Sequence, residues 1–155
     1  MILYYTYKQK TKVFAESLGE VLNLPTYELK SDMNSKSRLG FLISAITMAF
    51  TGKTAPVSNL PDSLPDEVFV CSPVWGGRVA APVKYFFENA PLRRTRVHLL
   101  LNASIPTEKY RKKAEEYLRE FCIPGDVHLF ATHDKIMPEK DVLVEQLRKI
   151  LELEG

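Results

Sequence analysis

The chain has 155 residues, 45% of them hydrophobic and 26% charged, with a formal net charge of +2. That supplies one packed core and predicts a single domain over residues 1–155. The charge balance excludes an extended nucleic-acid footprint: the densest basic cluster, Arg93-Arg94-Thr95-Arg96, reads as a solvated turn before a strand.

The chain opens on a short apolar and aromatic run, Ile2-Leu3-Tyr4-Tyr5, which predicts a strand. With no charged segment ahead of an apolar one, no signal peptide is expected. A polar loop follows, Thr6-Tyr7-Lys8-Gln9-Lys10-Thr11. Phe14, Leu18, Val21 and Leu22 then recur at helical spacing. In such a strand–loop–helix unit the backbone N–H groups of the loop and first helical turn converge, at the positive end of the helix dipole. The loop therefore reads as an anion site, with hydroxyls from Thr6 and Thr11 and charge from Lys8 and Lys10. The plainer alternative is that Thr11 caps the helix and the lysines are solvated.

Residues 25–29 predict a second short strand, and residues 30–37 a polar loop. Residues 39–50 then read as a helix that is apolar nearly all round, with Leu39, Phe41, Leu42, Ile43, Ile46, Met48 and Phe50. Twelve residues fall short of the roughly 20 that span a bilayer. More than one side of this helix must be covered, by the core first and by a homodimer contact second. The Gly52-Lys53-Thr54 triplet is not a nucleotide loop, because Thr47 stands where that pattern needs Gly and a helix stands where it needs a strand. Pro56, Pro61 and Pro65 mark a surface connection.

Glu67-Val68-Phe69-Val70-Cys71 predicts a strand covered on both faces. Ser72-Pro73-Val74-Trp75-Gly76-Gly77-Arg78 follows as a loop, since proline and paired glycines stop regular structure. It carries the only Trp of the chain. A helix with Val79, Val83, Phe86 and Phe87 inward comes next, with Pro82 tolerated in its first turn. Residues 97–101 form the fourth expected strand, followed by the loop Asn102-Ala103-Ser104-Ile105-Pro106. Thr107 is the capping candidate of the next helix, whose inner face is Tyr110, Ala114, Leu118 and Phe121. Gly125 breaks the chain before a fifth strand, residues 127–131. The last helix runs from about Glu139 to Glu152, with Leu143, Leu147, Ile150 and Leu151 inward. Cys71 and Cys122, in apolar contexts, read as free thiols of a cytoplasmic protein. His98, His128 and His133 lack partners at ligand spacing, so no metal site is expected. His133-Asp134 has no nucleophile elbow to make it hydrolytic.

Strands alternating with helices predict an α/β fold with a five-stranded parallel sheet, order 2-1-3-4-5, and helices on both faces. Ligands bind such sheets beyond the carboxyl ends of the strands, where the strand order reverses. Three loops meet there. The first carries Thr6, Tyr7, Lys8, Gln9, Lys10 and Thr11. The second carries Pro73, Val74, Trp75, Gly76 and Gly77, with an aromatic face for stacking and backbone open to close approach. The third carries Asn102, Ala103 and Ser104, with polar groups for ring edges. For Trp75 the plainer alternative is a packed surface aromatic.

Three stretches of this chain resemble the flavodoxin family, in particular its short bacterial members. Residues 2–6 with Thr11 and the helix to Leu22 resemble the first strand, phosphate loop and first helix. Gly40-Phe41 through Gly52-Lys53 resembles the apolar second helix. Cys71-Ser72-Pro73-Val74-Trp75-Gly76-Gly77, then Ala80-Ala81-Pro82-Val83-Lys84 and Phe86-Phe87, resembles the aromatic loop and the helix after it. The resemblance implies a three-layer flavodoxin-like sandwich. It implies non-covalent FMN on these three loops, held phosphate-first at Thr6–Thr11 and stacked by Trp75. It further implies electron transfer to a small-molecule or protein redox partner, or NAD(P)H-dependent reduction, with no separate catalytic side chain.

The phosphate loop is degenerate. Lys8 stands where the family has a hydroxyl, Gln9 stands where it has Gly, and the third loop lacks its Gly turn. A non-Gly residue resists positive φ, so Gln9 is expected to hinder the wrap of backbone round a phosphate. The near-neutral charge also departs from strongly acidic electron carriers. The alternative is a flavin-free binding or regulatory module that recognises a phosphate-bearing ligand or a protein partner.

Overall fold

The computed structural model describes residues 1–131 and 140–150. The elements are β1 (Ile2–Tyr4), α1 (Lys10–Leu22), β2 (Thr26–Glu28), a 3-10 turn (Asp32–Ser35), α2 (Arg38–Thr51), β3 (Glu67–Trp75), β4 (Arg78–Val79), α3 (Ala81–Asn89), β5 (Arg96–Ala103), α4 (Glu108–Phe121), β6 (Ile123–Ala131) and α5 (Lys140–Ile150). The main sheet is parallel, in the order β2-β1-β3-β5-β6, with β4 paired antiparallel to β3. Without the β4 return this is the expected order 2-1-3-4-5.

Side chains alternate across the strands and fill two core layers. Ile2, Tyr4, Cys71, Leu100 and Phe130 face Phe14 and Leu18 of α1 and Leu147 of α5. Leu3, Val68, Val70, Leu99 and Leu101 face Val83, Phe86 and Phe87 of α3 and Leu118 of α4. Fully buried apolar side chains such as Phe14 and Phe86 each contribute roughly 1.5–3 kcal/mol. Helices therefore cover both faces of the sheet. The expected inward side chains Leu143 and Ile150, Leu151, both expected ends of the last helix and the His133-Asp134 pair lie outside the described residues.

Several expectations are corrected. Val79, expected inward on a helix, lies in β4, and α3 begins at Ala81. β3 does not stop at Cys71 but runs through Pro73 to Trp75, and Gly76 and Gly77, both at positive φ, turn it tightly into β4. Proline fits because backbone groups alternate sides along a strand. Cys71 O faces β1, where it accepts the Tyr5 N–H. The Pro73 nitrogen faces the same side past the end of β1, so its missing N–H leaves no ladder bond unmade. β5 extends through Asn102 and Ala103, which were expected in a loop. Gly125 lies inside β6, at an irregularity in the β5–β6 register, rather than breaking the chain before it. A Cβ there would sit 2.8 Å from His98 Nδ1.

The last correction concerns α2. Only Phe41 and Ala45 of this helix are buried, and they pack in a small cluster with Met33, Ala55 and Ala81. Leu39, Leu42, Ile43, Ile46 and Phe50 are exposed. The helix is as apolar as expected, but the described residues cover one side of it.

Candidate functional site at the carboxyl ends of the strands

The first loop leaves β1 at Tyr5 and enters α1 through Gln9, the N-cap residue, with φ 64° and ψ −8°. A left-handed conformation at a non-glycine residue costs about 1–2 kcal/mol. The expected obstacle is thus overcome: Gln9 is exposed and adopts the backbone conformation that suits glycine. Its side chain makes no cap bond, and the first turn of α1 holds no acidic residue. Val13 N–H donates to Gln9 O at 3.0 Å. The Lys10, Thr11 and Lys12 N–H groups precede that first bond and have no intrahelical acceptor.

Thr6 and Thr11 are both buried, at 2% exposure. Thr6 Oγ1 has no hydrogen-bond partner among the described residues. Thr11 lies inside α1 rather than at its cap, and its hydroxyl donates to Asn102 Oδ1 at 3.2 Å. That bond ties the first loop to the third. Pro73 and Asn102 are register partners, which ties the second loop to the third. Tyr5 and Trp75 meet edge to face, with centroids 5.7 Å apart, which ties the first loop to the second.

Trp75 is half-buried and also meets Phe41 edge to face at 5.3 Å. Tyr7 packs flat on Phe41, with centroids 3.4 Å apart and planes 3° from parallel. The Tyr7 ring is therefore used to hold α2 against the loop. Lys8 is exposed, Lys10 begins α1, and neither forms an ion pair among the described residues. Asn102 and Ala103 are buried at the end of β5, and Ser104 is exposed just after it. Ser72 is fully buried; its hydroxyl accepts the Ala80 N–H at 3.0 Å and donates to Pro73 O at 2.9 Å, closing the β3–β4 return. Glycine is required at the turn itself: a Cβ on Gly76 would lie 2.9 Å from Ala49 Cβ, and one on Gly77 2.8 Å from the Tyr110 ring.

One residue that shapes the site escaped the sequence reading. Asn34, in the 3-10 turn, donates through Nδ2 to Thr6 O at 2.9 Å and accepts the Tyr5 hydroxyl at 2.8 Å. It braces the first loop from outside. Residues 30–37 carry only a polar, turn-like pattern, which gives no signal for that contact. Burial raises the Tyr5 pKa, so the hydroxyl stays a donor.

A cleft of about 470 Å³ adjoins the second loop, lined by Trp75, Gly77, Val79, Tyr110, Tyr117 and Lys113 among others. Small-molecule pockets run from about 300 to 1,000 Å³. No residue of the first loop lines it, so Trp75 and Gly77 are where the loop cluster and the cleft meet.

No family model matches the chain, and no curated protein matches it in sequence. Solved structures do. A candidate flavoprotein from Bacteroides eggerthii DSM 20697 superimposes with a TM-score of 0.72 at 13% identity, covering 98% of this chain and 94% of that one. A flavoprotein from Lactobacillus acidophilus NCFM, solved in complex with FMN, gives 0.64 at 20% identity, covering 83% and 90%. A flavodoxin from Streptococcus pneumonia TIGR4 gives 0.53 at 12% identity, covering 99% and 97%. With the strand order and layering above, these similarities define a flavodoxin-like fold. Among the described residues no helix is long and apolar enough to cross a membrane.

Proposed function

We propose that this chain binds FMN non-covalently across the three loops and serves in flavin-dependent redox chemistry, with a small-molecule or protein redox partner. The observation that carries this reading is in the first loop. A buried Thr6 hydroxyl, unpartnered among the described residues, sits beside a helix start with no side-chain cap and no acidic first turn. Those are donors suited to a phosphate, at the positive end of a helix dipole. Gln9 supplies the backbone turn such a loop needs. The FMN bound by the L. acidophilus flavoprotein, which shares this fold, supports the choice of ligand.

When bound, the flavin supplies the electron chemistry. The protein's residues would do the rest. The loop N–H groups and Thr6 would hold the phosphate, with Lys8 and Lys10 adding charge. Trp75 would take one face of the ring, and Asn102, whose amide oxygen accepts from Thr11, would meet a polar edge through its amide nitrogen. The cleft beside Trp75 and Gly77 leaves room for a second reactant.

A visible spectrum of freshly purified protein, repeated after FMN addition and desalting, tests this. A retained flavin spectrum is expected, and Trp75→Ala should weaken FMN binding by roughly 1–3 kcal/mol, the scale of ring stacking. A colourless protein that takes up no FMN would overturn it. The second reading, a flavin-free module for a phosphate-bearing ligand, draws on one observation. The third loop has no aromatic residue, and Trp75 is already engaged by Tyr5 and Phe41. On that reading inorganic phosphate would raise the melting temperature while riboflavin would not bind.

A further inference from the structure

Five of the eight large hydrophobic residues exposed among the described residues lie on α2: Leu39, Leu42, Ile43, Ile46 and Phe50. They form one stripe at helical spacing, and no charged residue occurs from Leu39 to Thr51. Phe50 is 86% exposed and Leu39 67%. Such a stripe presents on the order of 500 Å² of apolar surface, the upper end of what monomers show. With its rim it approaches the roughly 800 Å² per partner of a standard interface.

We propose that this stripe is the interface of a homodimer, in which α2 packs antiparallel on α2 of a second copy about a two-fold axis between residues 44 and 45. Two features select a second copy as the occupant. The first is spacing. A two-fold contact requires that residue i meet j and j meet i. An axis between 44 and 45 sets Leu39 opposite Phe50 of the second copy and Ile43 opposite Ile46 of the second copy, so the outer and central apolar positions pair with one another. The second is the absence of charge: no charged residue occurs from Leu39 to Thr51, so two copies of the stripe meet without burying an ion. The inner face of α2 holds Phe41 against Tyr7, so the dimer would fix the helix that braces the first loop.

Sedimentation equilibrium of the full chain at micromolar concentration tests the proposal. The expected mass is twice that of one chain. Ile43→Glu and Ile46→Lys should each raise the dimer dissociation constant on the order of a hundredfold, by burying an unpaired charge. Combining them should restore the dimer, because each glutamate then faces a lysine of the second copy. Cooperative melting checks that each variant folds; if one does not, Phe50→Ser serves, at a position that contributes little to the monomer. A wild-type monomer at all concentrations overturns the proposal, including one that instead binds phosphatidylserine vesicles. A dimer unmoved by either single charge overturns it too. Singles that separate without rescue in the combination overturn the antiparallel register.

Discussion

At the amino ends of β3, β5 and β6, the polar groups around His98 satisfy one another. His98 on β5 bonds through Nε2 to Glu67 Oε1 at 2.8 Å, accepts the Asp126 N–H on Nδ1 at 3.1 Å, and stacks on Phe69. Both bonds fit one neutral tautomer, protonated on Nε2. At the carboxyl ends the accounts do not close. Thr6 Oγ1 has no partner among the described residues, Gln9 holds a left-handed backbone, and α1 starts without a side-chain cap. The same sheet carries both ends, so its register does not cause the difference. Groups left over at one end, at a cost in stability, are what the proposed FMN site would use.

The comparison breaks most visibly at its well-satisfied end. His98→Ala removes two hydrogen bonds and a stacked ring whose side chain is 13% exposed. We expect a loss of about 2–3 kcal/mol in urea denaturation, with FMN affinity unchanged. Thr11→Val is the matching test at the other end. It leaves Asn102 Oδ1 without its donor. Stability should fall by about 1 kcal/mol and FMN affinity by about tenfold. A His98→Ala variant that loses FMN affinity while still folded would show the two ends to be coupled.

Much of this arrangement is legible in the residues. The unbroken apolar run from Val68 to Cys71 reads as a strand covered on both faces, and the Phe14–Leu18 spacing reads as a helix laid on it; both stand so in the fold. The positions of the three loops follow from strand order alone. Other features depend on contacts between distant segments. That Pro73 continues β3 depends on where β1 ends, which is a fact about a neighbouring strand. Asn34 braces Thr6 across 28 positions of sequence. An all-round apolar helix says that burial is wanted but not on which side, and α2 is covered on one. Whether Gln9 yields or the loop unwinds is a balance of a few kcal/mol, which residue identity does not decide.

Smaller effects sharpen the contrast. Thr6→Val replaces a buried hydroxyl, unpartnered among the described residues, with a methyl group of similar shape. Folding stability should rise by about 1 kcal/mol, since a desolvated donor is removed, while affinity for FMN falls. Opposite signs in a thermal melt and an FMN titration are the signature of a group kept for a ligand. Gln9→Gly relieves positive φ at the expense of backbone entropy, and a gain of about 0.5–1 kcal/mol is expected. FMN binding should hold or improve; if it is lost, the Gln9 side chain, not its backbone, is what the loop uses.

The mildest test concerns pH. His128 on β6 is half-buried, and that burial lowers its pKa; Asp126 opposes, while His98 and Arg111 push the same way as burial. The unfolded chain takes up this proton near the ordinary value of 6.5, whereas the folded chain takes it up at lower pH. Between those points the unfolded state binds more protons, so stability falls as pH drops below 6.5. Above that value both states are neutral at this position and the contribution is flat. His128→Gln should remove this part of the acid slope in melts taken on either side of pH 6.5, with neutral-pH stability little changed. His128 is not part of the loop cluster, so its variant should bind FMN like the parent at neutral pH. An acid slope that survives His128→Gln unchanged would move the proton uptake to other groups.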